Sequence, residues 1–163
     1  MIRTTLTTIG FIAAALALTP TAAADINVGG HNFGVGNGSA SASPGNVAVA
    51  FGGGTATATG GVGNLAIETG PSIAVKSGNG SLNLVVAHGD GSVASINTPG
   101  MFNVATAKSG GHSFIIGGSG NVVTSRGGGT AVTDNNKLSI TAALCNGPIV
   151  YAQSHRITVS TGC

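Results

Sequence analysis

Gly45-Asn46-Val47-Ala48-Val49-Ala50-Phe51-Gly52 and Gly63-Asn64-Leu65-Ala66-Ile67-Glu68-Thr69-Gly70 share one plan: a glycine, a short run in which large apolar residues recur at every second position, and a closing glycine. Working outward from these segments, the plan covers most of the chain. Short apolar stretches lie at Val47–Val49, Ala56–Ala58, Leu65–Ile67, Ile73–Val75, Leu82–Val86, Val93–Ile96, Phe102–Val104, Phe114–Ile116 and Val122–Val123. Most begin roughly nine residues after the one before, the spacing of short strands joined by tight turns. Such a repeat decides the architecture, because each unit buries its apolar face only by stacking on the next.

A period of two means that one face of each strand looks inward. The larger residues mark that face: Val47, Val49 and Phe51; Ile73 and Val75; Leu82, Leu84 and Val86. Ala and Val dominate the early body and there is no Trp, so the expected core is narrow. Glycine pairs and triplets at Gly52–Gly54, Gly60-Gly61, Gly110-Gly111, Gly117-Gly118 and Gly127–Gly129 mark corners. Asn37-Gly38 and Asn79-Gly80 are turn signals, since both residue types accept positive φ. They also match the glycosylation acceptor pattern, which turn chemistry explains on its own. Short strands, a narrow core and glycine corners predict an all-β fold. The expected form is a β-solenoid or β-roll-like stack, with a β-sandwich as the alternative.

The two opening segments resemble the head repeats of trimeric autotransporter adhesins, left-handed β-rolls built from G-x-x-x-A-x-A-G-like coils. The resemblance covers roughly residues 45–75 and implies the coil geometry. Gly60-Gly61-Val62-Gly63-Asn64-Leu65-Ala66-Ile67 and Gly117-Gly118-Ser119-Gly120-Asn121-Val122-Val123-Thr124 resemble the calcium-binding G-G-x-G-x-D-x-U-x unit of RTX β-rolls. Leu65 and Val122 stand where that unit has aspartate, and calcium needs about six oxygen ligands or more. The corner geometry carries over and the metal does not. In size and style the whole chain resembles small exported Gly/Ala-rich proteins of actinobacteria.

Residues 1–24 read as a signal peptide. Arg3 precedes an apolar run, Leu6–Leu18, and Ala22-Ala23-Ala24 supplies a cleavage site, with cleavage expected after Ala24. The run is shorter than the ~20 residues of a membrane-spanning helix. No integral membrane span is therefore expected after signal cleavage, and the protein is expected to be secreted or associated with the cell envelope. Residues 25–45 form a Gly/Ser-rich N-terminal leader or cap, residues 46–133 the repetitive β body, and residues 134–163 a C-terminal β cap. Two cysteines in an exported chain point to one disulfide, Cys145 to Cys163. Ile149–Ala152 would run out, Gln153–His155 turn and Arg156–Ser160 return, giving a disulfide-closed C-terminal hairpin that blunts a free sheet edge.

Charged residues make up only 6% of the chain, against about 25% in ordinary soluble domains. A surface with so little charge tolerates self-association, so a homo-oligomer is a candidate state. After Ala24 the cations are Lys76, Lys108, Arg126, Lys137 and Arg156, scattered along the sequence, which argues against nucleic-acid binding. The acids there are Asp25, Glu68, Asp90 and Asp134. His31, His88, His112 and His155 are too far apart in sequence for a recognisable zinc motif. His88 and His112, with Asp90 and Ser113 or Ser119, can be drawn as a Ser-His-Asp set, but no G-x-S-x-G elbow surrounds either serine. The expectation is a non-enzymatic structural or adhesive protein with an envelope or extracellular ligand, no cofactor, no metal and no catalytic residues. The alternative is a small hydrolase or carbohydrate-active protein on a β-helix scaffold, using two of Glu68, Asp90 and Asp134.

Overall fold

The computed structural model describes residues 24–34, 36–97, 99–145, 149–152 and 157–161. Apart from Ala24, the expected signal peptide lies outside them. The described chain folds into sixteen strands: β1 (Ala24–Val28), β2 (His31–Gly34), β3 (Ser39–Ala42), β4 (Val47–Phe51), β5 (Thr55–Ala58), β6 (Leu65–Thr69), β7 (Ile73–Ser77), β8 (Leu84–His88), β9 (Val93–Asn97), β10 (Val104–Lys108), β11 (His112–Ser119), β12 (Val122–Arg126), β13 (Thr130–Lys137), β14 (Ile140–Leu144), β15 (Val150–Ala152) and β16 (Ile157–Thr161).

From β3 onward the strands alternate between two sheets. The first runs β16-β14-β12-β10-β8-β6-β4-β1-β2, and the second runs β15-β13-β11-β9-β7-β5-β3. Apart from the pairings of β1, every ladder is parallel, so the fold is a flattened β-solenoid of about six turns, not a sandwich. Val47 pairs with Leu65, Leu65 with Leu84, Leu84 with Val104, Val104 with Val122 and Val122 with Ile140. One turn thus takes two of the nine-residue units read in the sequence.

The inward face is the opposite of the one expected. Ala48 and Ala50, Ala74 and Lys76, and Val85 and Ala87 are fully buried, while Val47, Val49 and Phe51 are half-buried on the outside and Ile73 and Leu82 are exposed. The lumen is lined chiefly by alanine from both sheets, with Val85, Ile96, Ile115 and Val123 among the larger apolar residues that enter it. Most of the larger residues go outside, where each lies beside the equivalent residue one rung away. Close-packed columns of this kind recover part of the burial that the lumen cannot give.

The two ends are built differently from each other. The chain opens with an antiparallel hairpin, β1–β2, which lies on β4 and extends the first sheet beyond the second. At the other end the expected C-terminal hairpin does not form among the described residues. β15 continues the second sheet on β13 and β16 continues the first on β14, both parallel. Residues 149–152 and 157–161 are therefore the two sides of one more rung, because parallel stacking on the rung below forces successive strands into opposite sheets. The predicted partner of Cys145, Cys163, lies outside the described residues.

Candidate functional site

The corner leading into the first sheet is built on a three-residue plan: a residue at positive φ, then asparagine, then the first strand residue. Gly45, Gly63, Leu82, Phe102, Gly120 and Leu138 hold the positive-φ position, with φ between 55° and 80°. Asn46, Asn64, Asn83, Asn103, Asn121 and finally Ser139 follow, all almost wholly buried. They form a ladder. Asn64 donates through its backbone N–H and its Nδ2 to Oδ1 of Asn46, both at 2.9 Å. Asn83 repeats this on Asn64 at 3.1 and 2.9 Å, and Asn121 on Asn103 at 2.9 and 3.1 Å. Ser139 closes the series with its hydroxyl on Oδ1 of Asn121 at 2.8 Å. A buried amide must fill its hydrogen bonds, and here each rung fills its neighbour's. Asn64 also donates to the carbonyls of Gly60 and Gly80.

Bulky residues avoid positive φ, at a cost of roughly 1–2 kcal/mol each. Three of the six corners nevertheless carry Leu82, Phe102 and Leu138, exposed by 50%, 61% and 76%. A Cβ on Gly63 would stand 2.8 Å from Leu82 Cδ2, and one on Gly120 would stand 2.9 Å from Leu138 Cδ2, so each leucine leans over the bare glycine one rung below.

These corners border the outer face of the first sheet. Its first column is aliphatic throughout: Val47, Leu65, Leu84, Val104, Val122 and Ile140. At the far end of the strands, His88, Lys108 and Arg126 occupy one column and are exposed. Lys108 and Arg126, 18 residues apart in the sequence, are thus stacked on neighbouring rungs, with His88 on the rung before them. His88 also exchanges a hydrogen bond through Nδ1 with the hydroxyl of Thr69.

Two titratable side chains are buried in the lumen. Glu68 is fully enclosed; Ser72 donates to its Oε1 at 3.0 Å, and Oε2 has no hydrogen-bond partner. Burial raises its pKa above the ordinary carboxylate value, against the opposing pull of the Ser72 hydrogen bond. Lys76 is equally enclosed and donates to the carbonyls of Ser77 at 2.6 Å and Gly78 at 3.1 Å. Burial holds its pKa below the ordinary lysine value.

The other candidate residues do not converge. Ser113 is sealed in the lumen, bonded to the Thr106 carbonyl at 2.6 Å and to Ser125 at 2.8 Å. His112 is on the outside of the second sheet against Phe114, His88 is on the first sheet, and Asp90 is exposed at a corner. Ser119 accepts the N–H of Met101. Of the three carboxylates, Glu68 is inside the lumen, Asp90 is at a corner, and Asp134 is on the second sheet, where it accepts the Tyr151 hydroxyl at 3.0 Å. His31 is exposed on β2, and His155 lies outside the described residues. Among the described residues, no three His, Cys, Asp or Glu side chains gather in a way that could hold a metal ion. A cleft of about 260 Å³ lies where the β1–β2 hairpin overhangs β3, lined by Asp25, Asn32, Phe33 and Ser39 among others.

The ladder's signal in the sequence is a polar residue, Asn or Ser, immediately before each first-sheet strand from β4 to β14, a pattern that the apolar spacing does not reveal. Among the described residues, no helix is long and apolar enough to cross a membrane. Comparison with known protein families, curated proteins and solved structures gives no match for this chain.

Proposed function

We propose that this is an exported, non-enzymatic binding or structural element of the cell envelope or extracellular space, working through the outer faces of its solenoid. The observation that carries this reading is the contrast between inside and outside. The polar groups of the lumen and corner are largely consumed in ladders, whereas the larger apolar side chains stand in flat columns on the surface. An outward apolar surface on a chain with so little charge favours contact with a partner. The carboxylates lie in three separate environments, which gives two-carboxylate chemistry no shared groove.

Fractionation of the producing cells tests the reading. The protein is expected in the envelope or the medium, with Asp25 at its N-terminus by mass spectrometry. Recovery from the cytosol with residues 1–24 still attached would sink it. Alanine at Asp90 and at His112 is expected to leave association with isolated envelopes unchanged.

A further inference from the structure

The binding reading above leaves the partner open, and the first-sheet face narrows it. We propose that this face, together with the corner of Leu82, Phe102 and Leu138, docks on an anionic lipid surface. Three observations converge on this site, and the inference rests on the binding role.

The first is the strained corner. Glycine occupies this position without cost at Gly45, Gly63 and Gly120, yet three rungs carry large apolar residues at positive φ and expose half or more of each. Strain held at an exposed position points to use of that position. Leaning over the glycines accounts for part of the leucine side chains and leaves their exposed parts, and Phe102, facing solvent.

The second is continuity. Leu82, Phe102 and Leu138 each stand two residues before a member of the aliphatic column, Leu84, Val104 and Ile140, and the intervening Asn83, Asn103 and Ser139 are buried, so no exposed polar side chain separates them along the chain. Protruding apolar groups next to a flat aliphatic face suit shallow insertion between headgroups.

The third is charge. Lys108 and Arg126 face each other across the β10–β12 ladder, at the opposite ends of the strands from the corner. Each strand spans roughly 16 Å, so an apolar edge and a cationic edge lie side by side on one plane. Outward positions of β4 through β14 on this sheet carry no acid: Glu68 points into the lumen, Asp90 sits at a corner and Asp134 is on the other sheet. A second copy laid face to face would therefore offer the cations no counter-charge, whereas a layer of anionic headgroups over hydrocarbon complements both edges.

The test is flotation of the purified protein with phosphatidylcholine vesicles, with and without phosphatidylglycerol. Wild type is expected to float only with the anionic vesicles and to detach as salt rises. Lys108→Gln and Arg126→Gln are each expected to weaken binding roughly fivefold. Asparagine tolerates positive φ. The triple variant Leu82→Asn, Phe102→Asn and Leu138→Asn is therefore expected to keep its β spectrum and melting temperature while binding falls on the order of tenfold or more. Equal flotation without phosphatidylglycerol, no flotation at all, or full binding by the triple variant would overturn the proposal. So would light scattering that finds a wild-type dimer and a triple-variant monomer, since a second copy would then cover the face. Envelope fractionation reads the broader binding role independently of each of these outcomes.

Discussion

Nδ2 of Asn83 lies 2.9 Å from Oδ1 of Asn64, one rung away, and the backbone N–H of Asn83 reaches the same oxygen at 3.1 Å. The Asn83 amide in turn supplies the oxygen for the backbone N–H of Asn103 at 2.9 Å and donates to the Gly100 carbonyl at 3.2 Å. Removing this side chain strands buried groups on both sides. Asn83→Ala is expected to destabilise the protein by about 2–4 kcal/mol, read as a lower urea midpoint. A change under about 0.5 kcal/mol, the range of ordinary surface substitutions, would show that the ladder contributes little.

Gly54 and Glu68 share one space. A Cβ on Gly54 would stand 2.2 Å from the Glu68 carboxyl and 2.5 Å from the Gly70 carbonyl oxygen. Gly54→Ala should therefore cost about 2–3 kcal/mol through overpacking. Adding Glu68→Ala should recover part of the loss, because the carboxyl is the movable half of the clash. Strict additivity in the double variant would mean that the Gly70 backbone alone sets the cost.

The raised pKa of Glu68 fixes a sign. In the unfolded chain this carboxyl ionises near its ordinary value of 4.5, while in the folded protein burial keeps it protonated to higher pH. Between the two values the folded state binds more protons, so stability falls as pH rises from 4.5 through the folded pKa. Glu68→Gln keeps an acceptor for Ser72 and cannot ionise. It is expected to flatten that part of the stability–pH curve and to raise stability at neutral pH. Parallel curves for the variant and the wild type would reject the assignment.

Leu144, the last residue of β14, pairs with Thr161, the last of β16. Cys145 follows the first directly, and Cys163 follows the second by two residues. Neighbouring strands are about 4.8 Å apart, inside the Cα range that a disulfide bridges. A Cys145–Cys163 bond would then staple one rung to the next. Non-reducing mass spectrometry is expected to find this pair, and reduction to cost about 3 kcal/mol. Thiol labelling of both cysteines in the native exported protein would refute it.

The alternation that announces the strands also concealed their orientation. In Val47-Ala48-Val49-Ala50-Phe51 both sets of alternating residues are apolar, and the ordinary expectation that size goes to the core points the larger set inward. That expectation holds where two faces stand far enough apart for large side chains. Here alanine supplies most of the inward positions, and larger inward residues such as Val85, Ile96, Ile115 and Val123 are the minority. The terminal hairpin failed for a related reason. Residues 149–152 and 157–161 read equally well as hairpin arms or as two sides of a coil, and only the parallel edges of β13 and β14 choose between them.

The sequence by itself determined the class of fold and its repeat, because glycine corners and period-two runs are local properties written at each position. It also carried the polar residue of every ladder rung, five asparagines and Ser139, though nothing local says that these side chains meet. The tertiary structure alone decided which face is the lumen, that Glu68 and Lys76 are enclosed, and that Lys108 and Arg126 share a column. Those facts depend on how many residues complete a turn. Equivalent residues are 18, 19 or 20 positions apart from rung to rung, so the register holds only because the corners absorb the extra residues, and no local pattern shows which corner does so.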